Sequence, residues 1–257
     1  MNDGVRTARR PGPSLLAKLK KSARKQGARL VCRLRGGRKV LGLCDSHGGV
    51  LEYIHDHDLL RPHLINCEIV GGATAYGLGN DESITQAFRR FTRAVARFAD
   101  YDTMVIMLGE VDCCVAMWNR AERRQEPVFE QIEPALRGIQ RLIDWLQAQG
   151  KRDIVILGSI LPTVADAERA LQLDPMRQAI RASQRQRTDL VLAFNEQLHQ
   201  LAQRNGLPYI DVTAETLNRD SGLVDPTFLI DGAVDHHLAQ EKSAPLWATR
   251  LRAVLDR

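Results

Sequence analysis

The sequence predicts an α/β fold in which a parallel sheet of about five strands is covered by helices on both faces. Short apolar runs alternate with longer stretches whose apolar residues recur at intervals of three and four. The apolar runs are continuous, which is typical of strands buried on both faces, and Gly150 and Gly206 stand where helices are expected to end. Such alternation requires right-handed crossovers, and these place the helices in two layers around one sheet.

Five strands and four long helices follow from these patterns. The strands are expected at residues 40–43, 65–70, 103–108, 153–159 and 208–212. The helices are expected at residues 84–98, 129–149, 187–205 and 244–255. A chain of 257 residues suffices for one such domain with an extension, and it is short for two full domains.

The composition excludes several classes of protein. Hydrophobic residues make up 44% of the chain and charged residues 26%, so a disordered or low-complexity protein is excluded. No apolar run reaches the roughly 18 residues that a membrane span needs, and the N-terminus lacks the apolar core of a signal peptide. The five cysteines are odd in number and lack the spacing of a zinc site, which favours a reducing, cytoplasmic location without structural disulfides.

Positive charge is concentrated in a basic N-terminal extension, residues 1–38, ahead of a domain at 39–257. Thirteen of the 36 Lys and Arg residues lie within residues 1–39, and the rest of the chain holds 23 basic and 30 acidic residues. The high pI therefore indicates no specific nucleic-acid partner. Leucines at 15, 16 and 19 share a helical face among lysines, so the extension either binds an anionic membrane surface or remains a solvated or docked segment.

Polar and glycine-rich segments follow the predicted strands, at the edge where a parallel sheet builds its ligand site. These segments are CDSHGG at 44–49, GGAT at 71–74 and GEVD at 109–112, and DGAVDHH at 231–237 precedes the last helix. A serine hydroxyl becomes nucleophilic when an imidazole takes its proton and a carboxylate orients that imidazole. Ser46 is therefore the candidate nucleophile, and the backbone N–H groups of Ser46 and Gly72 are the candidate oxyanion hole.

These segments resemble the SGNH hydrolases, or GDSL-type esterases, whose four sequence blocks recur in this order on a flavodoxin-like fold. Asp45 and Ser46 match the first block, with Cys44 in its glycine position, and Gly72 matches the second. The third block, Gly-x-Asn-Asp in most members, reads Gly-Glu-Val-Asp here, so the asparagine that donates to the oxyanion is missing. This variant, followed by cysteine, resembles members associated with bacterial polysaccharides.

The last block of the family, Asp-x-x-His, is also altered. Neither His236 nor His237 has an aspartate three positions before it, and the spacing present is Asp235-x-His237. That spacing resembles alginate-acetylation relatives, which implies His237 as general base and Asp235 as its partner; His236 with Asp231 remains the alternative. The resemblance covers roughly residues 40–257 and implies a hydrolase that needs no cofactor or metal.

Three acidic residues near these blocks have supporting roles in this interpretation. Asp45 is expected to cap the helix that follows Ser46. Glu110 is a candidate acceptor for a substrate hydroxyl. Asp112 is expected either to hydrogen-bond the loop that carries Ser46 or to be a structural carboxylate at the sheet edge.

Other constellations do not predict a site. Histidines at 55 and 57 fall two apart, which places them on different faces of a helix, so a metal site is not predicted there. Trp118 and Trp145 are expected to pack against the core, with Trp118 also a candidate for the wall of a substrate cleft.

The resulting hypothesis is a serine esterase that acts on short-chain, O-acetyl esters of a small molecule or a glycan. The loops after the strands are small and polar, whereas a long acyl chain needs a continuous apolar groove. Two alternatives stay open. One is an O-acetyltransferase that passes the acyl group to a glycan hydroxyl, and the other is an SGNH-like carbohydrate-binding protein with little or no catalysis.

Overall fold

The sheet has five parallel strands in the order β2-β1-β3-β4-β5, as predicted. We describe a computed structural model over residues 27–171 and 174–257; the leucines at 15, 16 and 19 lie outside the described residues. The strands are β1 (Lys39–Cys44), β2 (Leu64–Ile69), β3 (Thr103–Met107), β4 (Asp153–Leu157) and β5 (Tyr209–Ile210). β1 and β3 are almost wholly buried, which explains their continuous apolar sequence.

Nine helices lie in the described ranges. They are α1 (27–34), α2 (Gly49–Asp56), α3 (Ala87–Arg97), α4 (Met117–Arg124), α5 (Ile132–Ala148), α6 (Pro175–Gln178), α7 (Gln184–Arg204), α8 (Thr213–Thr216) and α9 (Gln240–Leu255). A short antiparallel pair, β6 (Leu217–Asn218) and β7 (Leu223–Val224), separates α8 from α9. The four predicted helices are α3, α5, α7 and α9, with ends shifted by a few residues. Gly150 and Gly206 have φ of +77° and +66°, the left-handed conformation of helix-ending glycines.

The helices cover both faces of the sheet in a three-layer α/β/α arrangement. α2 packs on β2 and α9, and α5 packs against α7. Cys32 of α1 is buried in the same core as the strands. All five cysteines are free thiols, and both Trp118 and Trp145 pack against the core. None of the helices described combines the length and apolar character needed to cross a bilayer.

The chain reverses its direction of winding at β1, which lies between β2 and β3. Cys44 at the end of β1 is in register with Ile69 of β2 and Met107 of β3. The segments that follow these three strands therefore emerge side by side, which is where open α/β sheets bind their ligands.

Candidate active site

Ser46 lies in the turn that joins the carboxyl end of β1 to α2. The buried Asp45 carboxylate accepts a hydrogen bond from the His47 backbone N–H at 2.9 Å, which starts a short 3₁₀ turn over Ser46–Gly48. A Cβ at Gly48 would lie 2.4 Å from Cβ of Cys44, so only glycine fits this close return against the strand. Asp45 is thus a cap, as the sequence indicated, and its turn leaves Ser46 half-buried at the sheet edge.

A cavity of about 490 Å³ opens in front of Ser46. Gly72, with φ of +71°, and His236 also line it, so segments after β1, β2 and β5 meet there. Its polar wall comes from the loop after β2, as the sequence predicted. Apolar side chains also line it and were not predicted: the fully exposed Ile84 stands among the polar residues of that loop, and Met176 of α6 comes from a distant segment that local sequence could not reveal.

His237 and Asp235 form a hydrogen-bonded pair in the loop before α9. Nδ1 of His237 lies 2.7 Å from Oδ1 of Asp235, and the His237 backbone N–H donates to the same oxygen at 2.8 Å. Asp231 bonds Lys242 instead, at 3.2 Å, and its side chain is 91% exposed. The structure therefore does not bring Asp231 to His236, whose Nδ1 lies 3.8 Å from Asp235.

Both loop histidines are neutral at neutral pH. Burial lowers the pKa of His237, and the nearby His47 lowers it further. Burial, followed by the charge of Arg177, lowers the pKa of His236 to about 4. Burial would raise the pKa of Asp235, but hydrogen bonds from His237 outweigh it and lower the pKa. A neutral imidazole beside an ionised carboxylate is the state that a general base requires.

Ser46 is connected to this pair through the next residue, His47. The ring of His47 lies 4.5 Å, between centroids, from that of His237. Within the part of the chain described, no hydrogen bond joins the Ser46 hydroxyl to a histidine ring. Catalytic hydrogen bonds often form only when substrate binds, so the lack of this bond in the free protein is compatible with proton transfer.

Asp112 supports the loop after β2. Its buried carboxylate accepts hydrogen bonds from the backbone N–H groups of Ala75 at 2.6 Å and Tyr76 at 3.2 Å. Burial outweighs these bonds and raises the pKa of Asp112 to about 6. Of the two roles expected for Asp112, these bonds fit the structural carboxylate, because they go to the segment after Gly72 and not to the loop that carries Ser46.

Glu110 is held by Arg177 of α6 in a two-pronged ion pair. Both distances between guanidinium nitrogens and carboxylate oxygens are 2.7 Å, and the side chains are 3% and 10% exposed. Burial would raise the pKa of Glu110, but Arg177 and His47 outweigh it and lower the pKa well below its usual range. Because Arg177 engages both oxygens, Glu110 is not positioned as the expected acceptor for a substrate hydroxyl.

Removal of Glu110 is expected to destabilise the fold. Glu110→Ala leaves the buried Arg177 guanidinium without its counter-charge, which should reduce the free energy of unfolding by about 3 kcal/mol. Urea denaturation followed by circular dichroism measures this loss. Glu133→Ala is the matched control, because its ion pair with Arg137 is exposed on α5 and should leave the urea midpoint unchanged. Equal midpoints for both variants would contradict the structural role of Glu110.

Three histidine rings meet at the site, and their arrangement bears on metal binding. Ring nitrogens of His47, His236 and His237 lie within 4.8 Å of one another, the sole such group of ligands in the described ranges. A metal needs a nitrogen lone pair, yet Nδ1 of His47 faces Asp45 at 3.0 Å and its Nε2 faces the His236 carbonyl at 3.1 Å. Both nitrogens of His47 are thus committed to acceptors, and this cluster does not fit a metal as it stands.

No protein-family model matches the chain, and no curated protein does. Solved structures do match. A GDSL-like lipase from Bacteroides thetaiotaomicron is 15% identical, with 92% of this chain and 96% of that chain covered and a TM-score of 0.59. A carbohydrate acetylesterase family member from Sinorhizobium meliloti is 15% identical, with coverage of 86% and 100% and a TM-score of 0.57. The inhibitor-bound aryl esterase of M. smegmatis is 14% identical, with coverage of 85% and 100% and a TM-score of 0.56.

The chain therefore has the three-layer α/β/α fold that the GDSL-like, or SGNH, hydrolases share. The resemblance drawn from the sequence blocks is confirmed at the level of the fold. Identities of 14–15% carry no residue roles across to this chain.

Proposed function

We propose that this protein is a serine esterase. The Ser46 oxygen attacks the ester carbonyl while Nε2 of His237 takes the hydroxyl proton, and Asp235 holds His237 and balances its positive charge. The backbone N–H groups of Ser46 and Gly72 stabilise the oxyanion. The alcohol leaves with the proton from His237. Water, deprotonated by His237, then attacks the acyl carbon, and Ser46 leaves with the proton that His237 returns, which releases the acid and restores the starting state.

One observation carries this proposal. A serine at the end of β1 shares a cavity with the loop that contains the hydrogen-bonded, neutral His237 and the ionised Asp235. The proposed nucleophile and the proposed base with its carboxylate come from opposite ends of the chain to one sheet edge. A turn after a strand is often capped by aspartate, so the Asp45 cap alone indicates no activity. The meeting of Ser46 with the loop of His237 and Asp235 is not explained by such a turn.

The substrate we propose is a short-chain, O-acetyl ester of a glycan or a small hydroxylated molecule. The polar loop after β2 suits hydroxyl groups, and a cavity of about 490 Å³ has room for an alcohol portion of that kind beside a short acyl group. The similar structure from Sinorhizobium meliloti is of a carbohydrate acetylesterase family member, which favours the same class. A glycan hydroxyl in place of water would make the same acyl-enzyme an O-acetyltransferase intermediate.

A fluorophosphonate probe tests the serine mechanism without knowledge of the natural substrate. The probe is expected to label Ser46 in the folded protein, with the modified peptide identified by mass spectrometry, because labelling requires an activated nucleophile. Protein unfolded in urea is the control and should not be labelled. Absence of label on Ser46 in folded protein would favour the carbohydrate-binding alternative.

We also propose that the basic extension, residues 1–38, places this protein at an anionic membrane surface in a reducing, cytoplasmic compartment. α1 exposes Leu30 and Leu34, one turn apart, among the arginines Arg29 and Arg33, which is the pattern of an interfacial helix. The free thiols support the reducing compartment.

Deletion of residues 1–26 is expected to weaken binding to vesicles that contain phosphatidylserine. This segment carries eight basic residues: Arg6, Arg9, Arg10, Lys18, Lys20, Lys21, Arg24 and Lys25. At about 1 kcal/mol per basic residue near the surface, the loss should exceed tenfold at low salt and shrink as salt rises. Cys32 of α1 belongs to the core, so the deletion stops before residue 27 and should leave ester turnover intact. Vesicle binding that is insensitive to salt would contradict the proposal.

A further inference from the structure

His47, the residue after Ser46, is buried at the centre of the site and takes no part in the mechanism above. Its side chain is 4% exposed. Nδ1 lies 3.0 Å from Oδ1 of Asp45, and Nε2 lies 3.1 Å from the carbonyl oxygen of His236. Oε2 of Glu110 is 3.8 Å from the same Nε2. The atoms that face its two nitrogens most closely are therefore oxygens, with ring nitrogens of His236 and His237 within 4.8 Å.

These neighbours decide the charge of the ring. A backbone carbonyl and an ionised carboxylate can only accept hydrogen bonds, so each nitrogen of His47 has to carry a proton to bond its neighbour. Burial would lower the pKa of His47, but the charges of Asp45 and Glu110 outweigh it and raise the pKa to about 9. The ring is thus an imidazolium at neutral pH.

This imidazolium lies against the histidine pair. The His47 ring centroid is 4.5 Å from that of His237 and 5.7 Å from that of His236. A positive charge at this distance disfavours a second one on His237. Two other charged groups lie close to these histidines. Asp235 is bonded to His237, and Arg177 is paired with Glu110.

We propose that His47 is a cationic positioning residue that keeps His237 neutral and anchors the His236–His237 loop through the His236 carbonyl. Its action on the base rests on the proposed esterase mechanism, whereas its charge does not. Protonation of His237 opposes catalysis, so the activity of the native protein rises at a lower pH than it would without His47. Loss of the His47 proton leaves one nitrogen facing an oxygen without a hydrogen, so activity also falls as pH rises through about 9.

Two-dimensional ¹H–¹⁵N spectra of the histidine side chains test the charge directly in the full chain. At pH 7, His47 is expected to show two protonated ring nitrogens, and His237 is expected to show one. A neutral His47 ring at pH 7 would overturn the proposal. This readout needs no variant and no substrate, so it stands even if Ser46 proves unreactive.

The pH profile of kcat/KM for an aryl acetate tests the effect on the base. His47→Gln is expected to move the acidic limb upward by on the order of one pH unit, while His47→Lys, which keeps the charge, moves it less. His57→Gln is the control, because His57 is exposed and stacks on Tyr53 of α2. An unmoved acidic limb in His47→Gln, with only kcat reduced, would show that His47 is merely structural and overturn the proposal. If His47→Gln does not fold, the spectra of the native protein decide.

Discussion

Ser46→Ala is expected to lower kcat/KM for an aryl acetate by at least about a thousandfold and to abolish labelling by a fluorophosphonate. The substitution removes the only atom that forms the acyl-enzyme bond in the proposed mechanism. Residual turnover would come from the oxyanion hole and from substrate binding. Because Ser46 is half-buried and the Asp45 cap bonds the His47 backbone, the fold should be retained.

Ser221→Ala provides the matched control for this variant. Ser221 lies in the turn between β6 and β7, where its hydroxyl accepts a bond from the Leu223 backbone N–H. Its loss should leave turnover unchanged, and circular dichroism should show both variants folded. A Ser46→Ala protein that retains turnover would rule out the serine mechanism while leaving the fold assignment intact.

The missing asparagine of the third block has a structural counterpart at the cavity. Val111 occupies that position and lines the cavity, and its side chain has no amide group that could donate a hydrogen bond to a substrate carbonyl. The proposed oxyanion hole is then built from two backbone N–H groups, those of Ser46 and Gly72. Gly109 in the same block has φ of +132°, and a Cβ there would lie 2.5 Å from the Phe194 ring, so its glycine is required by packing. The third block therefore keeps the glycine that packing requires and replaces the asparagine that would donate to the oxyanion.

The sheet and its functional edge could be predicted because their signals are local. Buried parallel strands are written as continuous apolar runs, and the polar residues that end β1, β2 and β3 follow directly in sequence. Each strand is present within a few residues of its predicted place. The helix expected after Ser46 is α2, but the sequence did not give its bounds, because it is eight residues long and begins at Gly49, too short and too glycine-rich at its start for a periodic pattern.

Long-range partners could not be predicted. Arg177 reaches Glu110 across 67 positions of sequence, on a four-residue helix with no apolar period. The environment of His47 has the same origin, because Asp45, Glu110 and the His236 carbonyl come together only in the folded chain. A carboxylate that is buried after a strand needs a positively charged partner. The sequence does not indicate which Lys, Arg or His residue that partner is.

His237→Ala is expected to lower kcat/KM by at least about a thousandfold, whereas His236→Ala should lower it by less than about tenfold. Asp235 bonds Nδ1 of His237 at 2.7 Å, which fixes the tautomer and leaves Nε2 as the basic nitrogen. His236 lies 3.8 Å from that carboxylate, and its pKa of about 4 makes it a weak base. Asp235→Asn should approach the effect of His237→Ala, since it removes the acceptor for Nδ1–H.

The pH profile separates the two histidines further. The base must be unprotonated, and the pKa of His237 is lowered from its ordinary value of 6.5, so kcat/KM should rise with pH at acidic pH and level off by neutrality. His199→Ala is the control and should follow the native profile, because His199 of α7 stacks on Tyr209 of β5 and does not line the cavity. A larger loss in His236→Ala than in His237→Ala would transfer the role of base to His236, which lines the cavity beside Ser46. Asp235 would then act on His236 across 3.8 Å. In that case Asp235→Asn should lower kcat/KM far less than His236→Ala does.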